Sequence, residues 1–212
     1  KDLFEDEIKK IKALIRMNFK IYVEEEVLGE CGALWNLKNS LKKDFLFLNG
    51  DIIFSIDLHK LYQFHKEINS KLTLVSHTST HPYDSDILSA PNGTLIQDIY
   101  PKSRKRDFNK IGYLGNAGIS CISPSIIRTI NKPVDIQKSS IFNHLVEESF
   151  KKGIRIFSYN TSEYIKDMGT PDRFNIVAKD IESNLIQRKN YIFKQRALFL
   201  DRDNTLIKCQ QG

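Results

Sequence analysis

The chain has 212 residues, of which 41% are hydrophobic and 27% charged, and its formal net charge is +6. These values are typical of a globular protein with a full core and exclude a disordered, low-complexity chain. No apolar run reaches the ~20 residues of a membrane-spanning helix, and the first residues do not resemble a secretory signal. The three cysteines lie far apart, which predicts neither a disulfide framework nor a zinc knuckle. We therefore expect a cytoplasmic protein with no membrane partner.

Part of the positive charge lies at residues 102–106, which read Lys-Ser-Arg-Lys-Arg. Such a run attracts anions, and nucleic acid, a nucleotide or a sugar phosphate are the candidates. A basic run in a loop is also common on a solvated surface. No aromatic residues are interleaved with it, and the sequence contains no recognisable nucleic-acid-binding module. We therefore expect no nucleic-acid partner.

The first third of the chain alternates between predicted helices and strands. The predicted elements are a helix at 1–16, a strand at 19–23, a helix at 33–42, a strand at 45–48, a helix that begins at Asp57, and a strand at 71–76. Gly29 and Gly32 mark the loop before the second helix. Alternation of this kind predicts a largely parallel sheet flanked by helices.

Residues 77–110 change character and predict a loop-rich insertion beside a ligand site, with a hairpin turn at 91–94. Regular structure then resumes. We expect strands at 118–122 and 163–166, and helices after Pro124, at 140–152 and after Pro171. Residues 184–195 are polar and predict a linker, and 196–200 predict a further strand. No internal repeat is visible.

Two aspartates each follow a predicted strand. Asp51 ends the run Asn49-Gly50-Asp51 after the strand at 45–48, and Asp167 follows the strand at 163–166. Open α/β sheets bind ligands at the carboxyl ends of their strands. Two such carboxylates suit Mg²⁺, which keeps part of its water shell and binds substrate phosphates. The alternative is that each aspartate caps the helix that follows it.

Four segments, taken together, resemble the sugar-1-phosphate nucleotidyltransferases. Residues 28–34 read Leu-Gly-Glu-Cys-Gly-Ala-Leu, 48–51 read Leu-Asn-Gly-Asp, 116–119 read Asn-Ala-Gly-Ile, and 167–171 read Asp-Met-Gly-Thr-Pro. The resemblance implies an α/β fold with a Rossmann-like, GT-A-like mixed and mainly parallel sheet flanked by helices. It also implies a nucleoside triphosphate and a sugar 1-phosphate as substrates, with Mg²⁺ as cofactor. Homo-oligomer formation is left open.

The resemblance assigns roles to particular residues. Asp51 and Asp167 would hold Mg²⁺ and act in catalysis. Lys102 would neutralise the sugar phosphate, with Lys105 and Lys110 as alternatives. The residues implied to bind substrate are Gly29, Gly32, Asn49, Gly50, Asn116 and Gly118.

A narrower resemblance concerns guanylyltransferases that are fused to a haloacid-dehalogenase-type phosphatase. Residues 81–86 read His-Pro-Tyr-Asp-Ser-Asp, and Tyr-Pro-Lys follows at 100–102. That group serves D-glycero-D-manno-heptose nucleotide synthesis for surface polysaccharide, which implies GTP and heptose 1-phosphate. Residues 196–205 resemble the first phosphatase motif, with Asp201 as nucleophile and Asp203 as acid/base. We therefore expect a nucleotidyltransferase domain at 1–183, a linker at 184–195 and a truncated phosphatase domain at 196–212.

The sequence also departs from the family pattern. The Gly-rich triphosphate loop and the later phosphatase motifs are missing, and Glu30-Cys31 replaces Thr-Ala beside the expected base. Asn204 replaces the usual glycine. These departures predict an interior fragment with little or no catalysis of its own.

Several alternatives remain at this point. One is a transferase for a hexose 1-phosphate, such as that of mannose or glucose. Another is a non-catalytic sugar-nucleotide-binding regulatory protein. His77 and His81 are four residues apart, but Pro82 disfavours the helix that would aim both at one zinc ion, so we interpret them as loop residues.

Overall fold

The computed structural model describes residues 2–14, 18, 20–135, 139–194, 196, 198–202 and 205–208. The helices are α1 Asp2–Leu14, α2 Ala33–Leu37, α3 Leu58–Glu67, α4 Pro124–Thr129, α5 Glu147–Lys151, α6 Pro171–Glu182 and α7 Leu185–Arg188. The strands are β1 Phe45–Leu48, β2 Ile52–Ser55, β3 Leu72–Thr78, β4 Ile87–Ser89, β5 Asp98–Tyr100, β6 Leu114–Ile122, β7 Phe157–Asn160 and β8 Tyr164–Asp167. A 3₁₀ helix covers Pro82–Asp84, and a π-helix at Ile141–Val146 leads directly into α5.

The main sheet has the strand order β5-β4-β6-β3-β7, and β1 also pairs with β6. Both β1 and β3 run antiparallel to β6, whereas β3 and β7 are parallel. Strands β1, β3 and β7 therefore run in the same direction, which agrees with the predicted alternation for β1 and β3, whereas β7 was not predicted. The mixed α/β class is confirmed. The strand predicted at 118–122 is the second half of β6, but its antiparallel course between β1 and β3 was not predicted, so the sheet has fewer parallel pairs than expected.

Strands β2 and β8 form a separate antiparallel ribbon, in which Ile52 lies opposite Asp167. The ribbon contributes Ile52, Phe54 and Ile165 to an apolar cluster shared with α3 and the main sheet. More than half of the chain separates the two strands. The ribbon therefore brings Asp51, which directly precedes β2, next to Asp167, which ends β8.

Apolar clusters cover both faces of the main sheet. On β3, Leu72 and Leu74 contribute to one cluster and Val75 to the other, as the alternation of side chains along a strand requires. All three are fully buried, and each such side chain stabilises the fold by about 1.5–3 kcal/mol relative to exposure. The core thus holds the strand ends in fixed positions.

Two predicted helix boundaries are confirmed by their caps. Asp57 precedes α3, and its Oδ1 accepts hydrogen bonds from the backbone N–H groups of His59 and Lys60 at 3.1 Å. The helix predicted at 140–152 begins after Ser140, whose hydroxyl accepts from Asn143 N at 3.0 Å. It ends before Gly153, which has a φ of +65°. Its first part is π-helical, which the periodicity did not indicate.

Other predicted elements differ from the structure. The helix predicted at 33–42 ends at Leu37, and residues 20–23 are irregular and exposed rather than a strand. Those four residues pair with no strand among the described residues, so their apolar side chains have no sheet face to cover. Residues 196 and 198–202 are likewise irregular and exposed. Ala197, Asp203 and Asn204 lie outside the described residues.

The polar segment expected to be a linker contains helix α7. It lies near β2 and β8, and Asn190 donates to Ser55 Oγ at 2.9 Å. The proposed division into domains stays a prediction. Among the described residues, no helix is both long enough and apolar enough to cross a membrane.

Candidate active site

A polar cleft of about 950 Å³ opens at the edge where β1, β3 and β7 end. Its lining comes from the segments that follow these strands, from the β2–β8 ribbon, from the start of β6 and from α6. Asp51, Asp167, Lys102, Asn49 and Asn116 all line it. Since the co-directed strands end together, residues that are remote in sequence meet at one edge of the sheet.

The carboxylates of Asp51 and Asp167 converge in this cleft. Met168 N donates to Asp51 O at 2.7 Å, which fixes the two backbones side by side. A Cβ atom built on Gly169 would lie 3.5 Å from Asp51 Oδ2 and 3.6 Å from Asp167 Oδ1, so both oxygens face one point. The nearby helices α3 and α6 are capped by Asp57 and Thr170 instead. The geometry therefore favours the paired-carboxylate interpretation over helix capping.

This pair fits a magnesium ion. Hard carboxylate oxygens suit Mg²⁺, which binds one or two carboxylates and completes its shell with water and phosphate oxygens. Among the described residues, no group of three or more His, Cys, Asp and Glu side chains could hold a metal ion by itself. Asp51 and Asp167 would therefore hold the ion together with substrate oxygens. His77 and His81 likewise belong to no group of three or more such side chains that could hold a zinc ion, among the described residues.

Two asparagines present unpaired amide oxygens. Oδ1 of Asn49 and Oδ1 of Asn116 are buried, and neither has a hydrogen-bond partner among the described residues. A buried acceptor without a partner is costly, so a ligand that donates hydrogen bonds would satisfy both. Asn49 N donates to Gly118 O at 3.0 Å. Gly118 has a φ of +70°, and a Cβ there would lie 3.3 Å from Asn49 Cγ. Only glycine suits this position.

The other glycines occupy different places. Gly118 lines the cleft, whereas Gly29, Gly32 and Gly50 are not among its lining residues. Gly29 lies in the loop before α2 with a φ of +66°, and a Cβ on Gly50 would contact nothing within 4 Å. The structure thus brings together the two predicted metal ligands and the two asparagines, whereas these three glycines are not among the lining residues.

Glu30 lines the cleft, although the family resemblance places a neutral residue there. Desolvation raises the pKa of its carboxyl group, a hydrogen bond with Asn49 opposes this, and the charge of Asp86 adds to the increase. Glu30 N donates to Ser139 O at 3.1 Å, which ties the loop to the start of the π-helix. The cleft therefore contains an additional carboxyl group that ligands must accommodate.

Lys102 lines the cleft, and its backbone N donates to Asp86 Oδ1 at 2.8 Å. Neither Lys105 nor Lys110, the two alternatives, is a lining residue. Of the three lysines, Lys102 is the one placed to meet an anion in the cleft.

Sequence reasoning missed the residues around Asp167. Arg173, in the first turn of α6, donates from Nη1 to Asp167 Oδ1 at 2.7 Å, and its Nη2 contacts the Asp84 carboxylate. His81 Nε2 lies 4.0 Å from Asp167 Oδ2. Arg173 follows the Asp-Met-Gly-Thr-Pro segment by two residues, which is a local signal. No local signal connects Asp84 to Arg173.

His77 was interpreted as a loop residue, but it lies in strand β3, where it pairs with Gly115 of β6, and it also lines the cleft. Desolvation lowers the pKa of His77, and the charge of His81 lowers it further. Asp201, from the predicted phosphatase motif, is exposed in an irregular segment, and Asp203 lies outside the described residues. The phosphatase roles of both aspartates therefore stay predictions.

The chain is similar in sequence to curated proteins. No family model matches the chain. It is 28% identical over 177 residues to the D-glycero-alpha-D-manno-heptose 1-phosphate guanylyltransferase of Campylobacter jejuni, covering 82% of this chain and 70% of the relative. It is 25% identical to the mannose-1-phosphate guanylyltransferase of Mycobacterium tuberculosis, covering 74% of this chain but only 43% of that relative.

A solved structure is also similar. HddC from Yersinia pseudotuberculosis, complexed with GMP-PN, matches with a TM-score of 0.62 and 20% identity, covering 85% of this chain and 74% of that chain. At this identity the likeness shows the fold, which is the mixed α/β fold expected from the sequence. The curated relatives in turn support the sugar-1-phosphate nucleotidyltransferase family that the four motifs resemble. Neither comparison shows a phosphatase fusion.

Proposed function

We propose that this protein transfers a nucleotidyl group from a nucleoside triphosphate to a sugar 1-phosphate. An oxygen of the sugar phosphate attacks the α-phosphorus, and the bond to the departing pyrophosphate breaks. The observation that carries the proposal is the convergence of Asp51 and Asp167 within the cleft at the strand ends. Nucleotidyl transfer requires positioning and charge neutralisation more than covalent chemistry by the protein.

Each lining group then has a physical task. Asp51 and Asp167 would hold Mg²⁺, which supplies positive charge to the phosphate oxygens. Lys102 would neutralise the sugar phosphate, because an ammonium group is a compact point charge. Asn49 and Asn116 would accept hydrogen bonds from the substrate through their unpaired amide oxygens. These contacts would orient the attacking oxygen towards the α-phosphorus.

For the particular substrates we propose GTP and D-glycero-D-manno-heptose 1-phosphate. The name of the Campylobacter relative and the nucleotide complexed with HddC support this choice. His81, Asp84 and Asp86 of the His-Pro-Tyr-Asp-Ser-Asp segment all line the cleft, which agrees with a role in substrate choice. Mannose 1-phosphate is the second candidate, since the Mycobacterium relative carries that name.

The test is pyrophosphate release with Mg²⁺, comparing GTP with the other nucleoside triphosphates and heptose 1-phosphate with mannose and glucose 1-phosphates. Because the Gly-rich triphosphate loop does not occur in these 212 residues, the assay compares this chain with a version to which such a loop has been added. We expect turnover with GTP and heptose 1-phosphate in the loop-bearing version, and little in this chain alone.

The assay also separates the alternatives. Faster turnover with mannose 1-phosphate would overturn the heptose assignment but keep the reaction class. If no pair of substrates gave pyrophosphate, the proposed enzymatic activity would be contradicted. Binding of a nucleotide sugar, measured by calorimetry, would in that case favour the regulatory protein.

A further inference from the structure

Arg173 joins two carboxylates that come from different parts of the fold. Asp167 ends strand β8, whereas Asp84 ends the 3₁₀ helix in the segment between β3 and β4. The guanidinium group contacts both, with Nη1 on Asp167 Oδ1 at 2.7 Å and Nη2 on Asp84. A planar guanidinium has a separate N–H donor for each partner. One side chain thus links the ribbon to the insertion.

The oxygen that Arg173 contacts is also the Asp167 oxygen that lies, with one of Asp51, beside the Cβ position of Gly169. Asp167 Oδ1 lies 3.6 Å from the Cβ position of Gly169, and Asp51 Oδ2 lies 3.5 Å from the same point. Asp167 Oδ1 accepts from Gly169 N at 3.3 Å as well. A divalent cation held between the two aspartates would therefore lie close to the Arg173 guanidinium, and their like charges repel.

Asp84 gives Arg173 an alternative counterion. Its side chain is 57% exposed, against 26% for that of Asp167, so this end of the bridge is open to solvent. Its hydrogen bond with Arg173 lowers the pKa of the Asp84 carboxyl group, which keeps it ionised. Arg106 fixes the backbone beside Asp84, donating to Tyr83 O at 2.6 Å and to Ser85 O at 2.5 Å.

From this geometry we propose that Arg173 competes with a divalent cation for Asp167, and that Asp84 lowers this competition by drawing the guanidinium group away. Arg173 and Asp84 are then positioning residues that set the cation affinity of the cleft. The proposal rests on the proposed function in one respect, namely that Asp51 and Asp167 hold the cation. It adds the opposing effects of two residues outside that pair.

The experiment measures Mn²⁺ binding without nucleotide, by electron paramagnetic resonance or calorimetry, in wild type, Arg173→Gln and Asp84→Asn. We expect Arg173→Gln to tighten Mn²⁺ binding by about 3- to 10-fold, because it removes a cation beside the site. We expect Asp84→Asn to weaken it by a similar factor, because Arg173 then pairs with Asp167 alone.

The double variant tests whether Asp84 acts through Arg173. If it does, Asp84→Asn has no further effect once Arg173 is glutamine. Arg173→Lys keeps the charge without the planar fork, and provides a second variant should the glutamine variant fold poorly. We expect it to bind Mn²⁺ like wild type within about threefold. Arg104→Gln is the matched control, since it breaks a 2.7 Å ion pair with Glu147 that is not part of the cleft lining.

The proposal fails if wild type binds no Mn²⁺, if both single variants shift the affinity in the same direction, or if Arg104→Gln has the same effect as Arg173→Gln. A purely structural bridge would lower thermal stability in both variants without these opposite shifts. Failure of the pyrophosphate assay with Mn²⁺ binding and opposite shifts retained would contradict the proposed function and leave this inference standing.

Discussion

The two sides of the cleft are built in different ways. One side, the amide wall, consists of Asn49, directly after β1, and of Asn116 and Gly118 within β6. Its position is set by backbone pairing within the main sheet, such as the bond from Asn49 N to Gly118 O at 3.0 Å. It carries no formal charge, and its amide oxygens lack partners among the described residues.

The opposite side, the charged wall, consists of His81, Asp84, Asp167 and Arg173. Its members come from the insertion, the ribbon and α6; Arg173 forms ion pairs with Asp84 and Asp167, and His81 Nε2 lies 4.0 Å from Asp167 Oδ2. The main sheet thus presents neutral acceptors, whereas the peripheral elements present charge. Neutral acceptors suit recognition of hydrogen-bond donors, and charges suit phosphates and cations. The predictions below test this separation.

The largest effect is expected at the two converging carboxylates. Asp51→Asn or Asp167→Asn should lower kcat by about 10³-fold, because each change removes a charged oxygen ligand from the phosphate site. Pyrophosphate release at saturating substrate measures this, in the loop-bearing version of the chain. Asp107→Asn, at an exposed aspartate outside the cleft lining, is the control and should leave kcat unchanged. Equal loss in all three variants would contradict the assignment.

The amide wall is tested at Gly118. Gly118→Ala should cost about 1–2 kcal/mol of stability, because alanine is strained at positive φ, and the new Cβ should displace Asn49. Gly153→Ala is a matched control, since Gly153 has a φ of +65° with nothing within 4 Å of its Cβ position. Both variants should lose stability in urea unfolding, but only Gly118→Ala should raise KM, by about 10-fold.

Lys102 tests where the sugar phosphate binds. Lys102→Ala should raise KM for the sugar 1-phosphate by about 10-fold with a smaller change in KM for the triphosphate, because a charge-assisted contact to phosphate is lost. Lys105→Ala and Lys110→Ala supply the comparison, because neither of these lysines lines the cleft. A larger effect at either of these positions would move the phosphate contact away from Lys102.

The smallest effect concerns acid stability at His65, in helix α3 and outside the cleft lining. His65 is fully buried, with Nδ1 2.8 Å from Thr73 Oγ1. Desolvation lowers the pKa of His65 below its usual 6.5, partly offset by Asp44. The unfolded state therefore binds more protons in this range, and stability falls as the pH drops below about 6.5.

We expect Tm to fall by roughly 2–4 °C more in wild type than in His65→Gln between about pH 7 and pH 5.5. Part of the decline should remain in the variant, because His77 has a lowered pKa as well. Thermal unfolding followed by circular dichroism at both pH values is the measurement. Identical pH profiles would show that His65 does not titrate in this range.

The sequence predicted some parts of the site and missed others for physical reasons. Asp51 and Asp167 were found because a carboxylate directly after an apolar strand is a local pattern, and strand direction then places both at one edge. Asp84 and Arg173 were missed as a pair because their contact depends on how the insertion folds against α6. The antiparallel course of β6 was missed because periodicity records burial and not strand direction.

The glycines and the terminal segments show a further limit of prediction from sequence. Gly29 and Gly32 were assigned to substrate binding by resemblance. Whether a loop residue reaches the cleft depends on the conformation of the loop, which a short sequence motif does not determine. Residues 20–23 have the composition of a strand, but a strand requires a neighbour with which to pair. Local propensity alone does not supply one.

The β2–β8 ribbon makes the charge at this site sensitive to register. Side chains alternate between the two faces of a strand, so sliding β8 by a single residue would turn Asp167 outwards and bring Lys166 into its position. An acidic side chain would thereby be replaced by a basic one, and Ile165 would turn out of the apolar cluster that it shares with Ile52 and Phe54. The register that keeps the core filled is therefore also the register that keeps this side of the cleft acidic.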